Sequence, residues 1–275
     1  MNYLEFCFVV VPRNPATEIL IAALGERGFE SFLETETGVQ AYIPEKEFSG
    51  LDLATLTILE IPDLQITYTS QPIEQQNWNA AWEENFHPIT ITDRCRIRAP
   101  FHTMAPIEYD IVISPKMSFG TGHHETTHMM LQLLLEEEIS GQTVLDMGCG
   151  TGVLAILAEK KGASEILAVD IDPWSYENAK ENVTLNQCSH IAVFQGDAGS
   201  MGTTKFDRIL ANINRNILLE DIPKYNAQLK TTGSLLLSGF YLKDLDAISA
   251  KCMQYDLKLE KKLLRNDWVA AKYVH

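Results

Sequence analysis

Three glycines at alternate positions, Gly148, Gly150 and Gly152, follow a largely apolar run that carries an acid near its end, Thr143-Val144-Leu145-Asp146-Met147. A strand, a glycine turn and a helix starting at Val153 make a cradle whose free backbone N–H groups can hold a polar ligand. Glycine is required there because a Cβ would block the approach of ligand to backbone. Two nucleotide motifs fail against this loop. The phosphate loop GxxxxGK[ST] needs a Gly-Lys pair that is absent, and the dinucleotide fingerprint GxGxxG needs glycine where Val153 stands. The acid at the strand end disfavours a pyrophosphate and suits a ligand with a cationic amino-acid tail, so Asp146 is expected to attract an ammonium.

Two further carboxylates fall at strand ends downstream. Glu165 to Val169 reads as a strand that runs into Asp170-Ile171-Asp172-Pro173. An acid about 20 residues beyond a glycine loop is placed to accept hydrogen bonds from ribose hydroxyls, and Asp170, followed by Ile171, takes that role. Asp172 reads as an N-cap ahead of Pro173, which opens a helix over 174–186. After a third strand, Gly196-Asp197-Ala198 supplies a carboxylate for an adenine amino group.

The elements that must position these residues alternate from Gly122 onward between strand and helix, which implies a parallel sheet covered on both faces. Phe206 to Ala211 reads as the fourth strand and Gly233 to Phe240 as the fifth, with Leu257 to Leu264 and Trp268 to Val274 as a closing antiparallel hairpin. Ile89 to Ala99 and Tyr109 to Ser114 are shorter strands. The first 70 residues have a different order, βαββαβ, which is that of a ferredoxin-like α+β sandwich. Within them, Tyr3 to Val11 is a strand and Asn14-Pro15 caps a helix closed by Gly28. Phe29 to Thr35 and Val39 to Ile43 form a hairpin, and Leu64 to Thr69 the last strand. Residues 71–86 turn polar and carry Trp78, Trp82 and Phe86 four apart, one face of a connecting helix. The expected division is therefore 1–70, a linker helix over 71–86, and a large domain over 87–275.

Composition excludes several function classes. Thirty-seven acidic residues against 22 Lys and Arg give a net charge of −15, which repels nucleic acid and anionic membranes and favours a small molecule or a basic partner. Five scattered cysteines form no CxxC pair and read as reduced thiols of a cytoplasmic protein. The apolar start, residues 1–11, has no basic n-region or cleavage signal and reads as a strand rather than a leader. No apolar run approaches the ~20 residues that span a bilayer.

Loop, Asp170 and Gly196-Asp197 together resemble class I S-adenosylmethionine-dependent methyltransferases, in which a Rossmann-like seven-stranded sheet ends in an antiparallel strand. Two further segments narrow the resemblance. Pro115-Lys116-Met117-Ser118-Phe119-Gly120-Thr121-Gly122-His123-His124-Glu125-Thr126-Thr127 lies upstream of the loop, and the fourth strand ends in Ala211-Asn212-Ile213. With Trp78, Trp82 and Asn85-Phe86-His87-Pro88, these resemble the bacterial methyltransferase family that modifies protein 11 of the large ribosomal subunit. The resemblance implies S-adenosyl-L-methionine held by Thr127, Gly148, Asp170 and Asn212, with Phe119, Gly120 and Thr121 folded over its methionine end. Gly150, Ile171, Asp146 and Asp197 complete the cofactor set. It also implies that lysine side chains and the α-amine of the ribosomal protein are the acceptors, that the amino-terminal domain recognises this protein, and that no metal is used. Glu125 stands where the family commonly has Pro, and Ile213-Asn214-Arg215 departs from its usual Ile-Leu-Ala.

Asn212 is the expected catalytic residue, its amide oxygen orienting the acceptor amine; a contact to cofactor or backbone alone is the alternative. The segment His124-Glu125-Thr126-Thr127-His128 also matches HExxH, yet Leu131 and Leu134 occupy the positions of the extended zinc motif's Gly and third His. A glutamine methyltransferase would carry an NPPY-type sequence after the fourth strand, and Asn212-Ile213-Asn214-Arg215 lacks both prolines. Other acceptors, and a silent cofactor-binding module, remain the competing readings.

Overall fold

The computed structural model of the chain describes residues 3–48, 51, 53–73, 86–116, 118–200 and 202–275. It divides into two compact units, Met1–Glu84 and Asn85–His275. The expected linker helix and its Trp78 and Trp82 lie outside the described residues, apart from residues 71–73 and Phe86. The first three of these belong to a strand, so the expected boundary at residue 70 falls inside that strand.

The first unit is built on β1 (Tyr3–Val11), which pairs antiparallel with both β3 (Gly38–Pro44) and β4 (Gln65–Ile73). Adding β2 (Ser31–Glu34) gives the order β2-β3-β1-β4, the ferredoxin-like arrangement expected from the element order. Alternation decides which face is buried. Phe6, Phe8 and Val10 of β1 and Val39, Ala41 and Ile43 of β3 meet Leu20 and Leu24 of α1 (Ala16–Gly25) in one core. Pro15 rather than Asn14 sits at the N-cap of α1, and no side chain bonds there. The second helix of the motif is reduced to α2 (Glu45–Phe48) and two 3-10 turns.

The second unit holds a seven-stranded sheet in the order β10-β9-β8-β11-β12-β14-β13. These are β8 (Thr143–Met147), β9 (Glu165–Asp170), β10 (Ile191–Gln195), β11 (Phe206–Asn212), β12 (Leu229–Tyr241), β13 (Lys258–Arg265) and β14 (Trp268–Val274). Every pairing is parallel except those of β14, which runs antiparallel to β12 and β13. Asn266 and Asp267 join the last two strands with φ of 47° and 65°, the pair of positive values that a two-residue hairpin with right-handed twist requires. Successive residues feed opposite cores. Val144, Leu210, Leu236 and Ala270 pack against α3 (Glu125–Glu136) and α4 (Val153–Lys160), while Leu145, Ala211, Leu237 and Ala271 face α6 (Arg215–Gln228) and α7 (Leu245–Met253).

A smaller sheet, β5 (Ile89–Ile91), β6 (Cys95–Arg98) and β7 (Tyr109–Val112), precedes α3; the single strand expected over 89–99 is broken by a turn, with Thr92 at φ 55°. Helix α5 (Pro173–Leu185) holds the free edge of β7. Asn186 accepts from Val112 N at 2.9 Å and donates to Val112 O at 2.6 Å, and Asn182 accepts from Ser114 N at 2.8 Å. Two asparagine amides thus replace a missing strand and fix the segment that leads to Phe119.

The carboxylate of Glu137, just past α3, takes Arg208 of β11 at 3.1 Å and Lys272 of β14 at 2.7 Å, all three largely buried. Each cation keeps another acceptor, Arg208 the carbonyls of Asp207 and Glu138, and Lys272 the carboxylate of Glu260. Glu137→Ala is therefore expected to lower the unfolding free energy by about 2 kcal/mol, below the cost of stranding a fully buried charge. A urea titration measures it, and an unchanged midpoint would show that the network contributes nothing.

Candidate active site

The sheet changes direction of winding between β8 and β11, and ligands of such sheets bind beyond the carboxyl ends of the strands at that point. A cavity of about 640 Å³ opens there, lined by the residues that follow β8 (Gly148, Gly150), β9 (Ile171), β10 (Gly196, Asp197) and β11 (Ile213), with Asp170 and Asn212 at the ends of their own strands. Its size suits a ligand of nucleoside class.

The glycine turn is held open for backbone approach. Gly148 and Gly150 take φ of 70° and 53°, in the left-handed region that side chains rarely adopt. A Cβ on Gly148 would lie 2.2 Å from Ile213 Cγ2, and one on Gly150 would lie 2.2 Å from the carbonyl oxygen of Phe119. That carbonyl accepts from Thr151 N at 2.9 Å, and the Thr151 hydroxyl donates to Gly120 O at 2.7 Å. The Phe119-Gly120 segment is in this way clamped onto the loop, and Asn182 grips the same loop through Thr151 O at 2.9 Å.

Asp170 is oriented by the backbone. Its Oδ2 accepts from Gly150 N at 2.8 Å and its Oδ1 from Asp172 N at 3.0 Å, which leaves further lone pairs on both oxygens for hydroxyl donors. Asp172 caps α5, accepting from Trp174 N and Ser175 N. Ile171, 73% exposed, offers an apolar surface at the rim. Asp197 Oδ1 takes Gly199 N and the Ser200 hydroxyl, and that hydroxyl bond holds its carboxyl below the usual range.

Asn212 closes the inner end. Its Nδ2 donates to Thr127 Oγ1 at 3.2 Å, and its Oδ1 is buried without a partner. Thr127 itself is 1% exposed and is not part of the cavity lining; its hydroxyl lies against the Asn212 amide, whereas Thr126, equally buried, contributes to the lining. Gly120 and Thr121 line a second, adjacent recess rather than the main cavity.

Asp146 lies apart from the cavity lining. It is 1% exposed, its Oδ2 accepts from Ala155 N inside α4 at 3.1 Å, and its Oδ1 has no partner. The expected ammonium contact is not set up by this geometry: strand alternation turns position 146 toward α4.

Several lining residues carry no motif. Trp268 enters from β14, a neighbour of β12 only through the sheet order, and stacks with Tyr241 at 4.0 Å and edge-on with His124 at 4.9 Å. His124 in turn meets Phe119 at 5.1 Å. It precedes α3 as its N-cap, with Nδ1 accepting from Thr126 N, so it does not share a helical face with His128 as an HExxH zinc site requires. Ile217, Glu220, Asp221 and Lys224 of α6 complete the outer wall.

Whether this donor set fits S-adenosylmethionine is decided by these contacts. A carboxylate preset by two backbone amides, glycines where a Cβ would fill the cradle, and one buried unpartnered amide oxygen all suit a ligand with ribose hydroxyls and a polar amino-acid tail.

Known proteins are similar to this chain. The family model described as "Ribosomal protein L11 methyltransferase (PrmA)" matches residues 19–275. A protein of Bacteroides fragilis named ribosomal protein L11 methyltransferase is 46% identical, with all of both chains covered. One of that name from Chlorobaculum tepidum is 36% identical over 98% of this chain and 96% of its own. The crystal structure of a ribosomal protein L11 methylase from Lactobacillus delbrueckii subsp. bulgaricus superposes with a TM-score of 0.65 at 29% identity, covering 69% of this chain and all of that one.

Burial pushes the Asp146 carboxyl up from 3.8 to about 7. A group that binds its proton more tightly when folded contributes stability below its unfolded value and loses it as pH rises through the folded one. The free protein should therefore lose stability between about pH 4 and pH 7, and Asp146→Asn should flatten that decline. Urea midpoints across this range test it; parallel curves for the two proteins would show that Asp146 is not the group responsible.

Proposed function

This chain belongs to the ribosomal protein L11 methyltransferase family, and on that premise we propose that it transfers methyl groups from S-adenosyl-L-methionine to amines of ribosomal protein L11, lysine side chains and the α-amine among them. The observation that carries the chemistry is Asn212, a residue of the cavity lining whose amide nitrogen is tied to Thr127 while its oxygen is buried and unpartnered. A buried polar atom left without a partner is costly, and an acceptor amine satisfies it.

S-adenosylmethionine, once bound, supplies a methyl already activated by its sulfonium. The protein's task is alignment. Asp170 takes the ribose hydroxyls, Ile171 offers an apolar face to the adenine, and Asp197 accepts from its amino group. Gly148 and Gly150 let the backbone approach, and Phe119 of the clamped segment covers the methionine end. The Asn212 oxygen accepts one N–H of the incoming amine and so points its lone pair. A lysine amine titrates near 10.4 in water and must arrive at the methyl without its proton. Phe119, Ile213 and Trp268 make the walls apolar there, and such surroundings disfavour the charged form.

The amino-terminal unit recognises the protein substrate, with residues 71–86 as the connection between recognition and catalysis. An enzyme with net charge −15 is suited to a basic ribosomal protein, since complementary charge speeds encounter. The compartment is the cytoplasm: all five cysteines are unpaired thiols, as a reducing environment keeps them. No helix among the described residues is long and apolar enough to cross a membrane.

Incubation with methyl-tritiated S-adenosylmethionine and a ribosomal protein fraction, followed by mass mapping, tests the reading. Label is expected on lysines and the amino terminus of L11, and Asn212→Ala should lower turnover by about 10²-fold, the scale of one positioning contact. Label confined to other proteins, or full turnover in the variant, would refute the respective assignment.

A further inference from the structure

Beside the main cavity lies a second recess of about 500 Å³, formed by Ser118, Gly120, Thr121, His123 and Glu125 together with Phe119 and His124. Phe119 and His124 also line the main cavity. The two spaces therefore share a wall of two rings whose centres are 5.1 Å apart. Among the described residues, Glu125 is the only carboxylate that lines the second recess.

The carboxylate of Glu125 is held in place from another element. Asn266, in the turn between β13 and β14, donates its Nδ2 to Oε1 at 2.9 Å. That hydrogen bond is the main reason why the carboxyl stays below its usual range, with the nearby charges of His124 and Arg265 adding to it. Half-buried at the first position of α3, Glu125 also benefits from the helix N-terminus. A first-turn acid needs no partner beyond its helix. This one is in addition tethered across the fold and lines a recess that adjoins the place of methyl transfer.

The acceptor's chemistry gives that recess a use. An amine reaches the enzyme as an ammonium and must be neutral when it meets the methyl. Next to Asn212 the cavity presents an uncharged amide and the apolar Phe119, Ile213 and Trp268; its carboxylates lie elsewhere, Asp170 and Asp197 at the strand ends and Glu220 and Asp221 on α6, with Asp221 paired to Lys224. Resting on the function proposed above, we propose that the second recess is the entry subsite for the substrate's ammonium group and that Glu125 is the carboxylate that docks it. The ammonium pairs with Glu125 in the solvent-open recess, packs against the ring of Phe119 as a cation on a π face, gives up its proton to water, and passes beside Phe119 and His124 to Asn212. Glu125 is a docking residue and takes no part in the transfer itself.

Steady-state kinetics of the full chain with intact L11, at low salt and at about 0.5 M salt, test this. Glu125→Gln keeps an oxygen for Asn266 and removes only the charge. Its KM for L11 should rise about fivefold at low salt, the scale of one partly exposed ion pair. The gap to wild type should close at high salt, while kcat and the KM for S-adenosylmethionine hold. Glu125→Asp, which keeps the charge, should restore most of the affinity and separates docking from a fold defect, since a fold defect would lower kcat and cofactor affinity in both variants. An unchanged KM for L11 in Glu125→Gln, or a rise equal in both variants and insensitive to salt, overturns the subsite while leaving the methyltransferase reading intact. A wild-type enzyme that does not label L11 overturns the reading on which the subsite rests.

Discussion

The site depends on a close contact between two backbones. The carbonyl of Phe119 occupies the space where any residue other than glycine at position 150 would place its Cβ, 2.2 Å away. Around this contact the bonds from Thr151 to Phe119 and Gly120, and from Gly150 to Asp170, converge on two consecutive loop residues. The clamp joins the segment before α3 to the turn after β8. It thereby sets the width of the main cavity, the position of Phe119 and the orientation of the carboxylate at the end of β9. Helix α5 adds to it at both ends, since Asn182 bonds Thr151 O and also Ser114 N. One helix thus aligns the loop and the strand that delivers the covering segment.

A second constraint is the treatment of polar groups at the inner end. Asn212 is fixed by one hydrogen bond and left with a free acceptor, while Thr127 is spent on holding it. A neutral amide there orients an amine without stabilising its protonated form, as a carboxylate would. The carboxylates of the site lie elsewhere: Asp170 and Asp197 along the strand ends, Glu220 and Asp221 on α6, and Glu125 in the adjoining recess. Charge at the periphery and neutrality at the reacting atoms match an acceptor that arrives as a cation and reacts as a free base.

Much of this was legible in the sequence because the governing rules are local. Glycines at 148, 150 and 152, acids at strand ends and an N-cap at Asp172 followed by Pro173 each announce a backbone conformation within a few residues. The alternation of strand and helix gave the parallel sheet, and the βαββαβ order gave the first unit. What stayed hidden depends on long-range pairing. Trp268 reaches the cavity only because β14 inserts beside β12. The edge of β7 is satisfied by asparagines more than 60 residues away, Asn182 in α5 and Asn186 at its C-cap, and Asn266 finds Glu125 across 141 positions. Asp146 misled for a physical reason: the period-2 alternation of β8 buries it against α4 although its type and position suit a ligand. Thr127 was expected at the cofactor and is found bonded to the Asn212 amide, while its equally buried neighbour Thr126 on α3 contributes to the cavity lining.

The clamp is the feature on which the remaining assignments rest, and calorimetric titration of S-adenosylhomocysteine into the wild-type chain and into Gly150→Ala tests it most directly. A methyl at position 150 must displace the Phe119 carbonyl and adopt a left-handed conformation, a strain of about 1–3 kcal/mol. Affinity in the variant should fall at least about tenfold while the circular dichroism of the sheet and helices is retained. Wild-type affinity in Gly150→Ala would contradict the account, because it would mean that the cofactor site does not need the two backbones to meet.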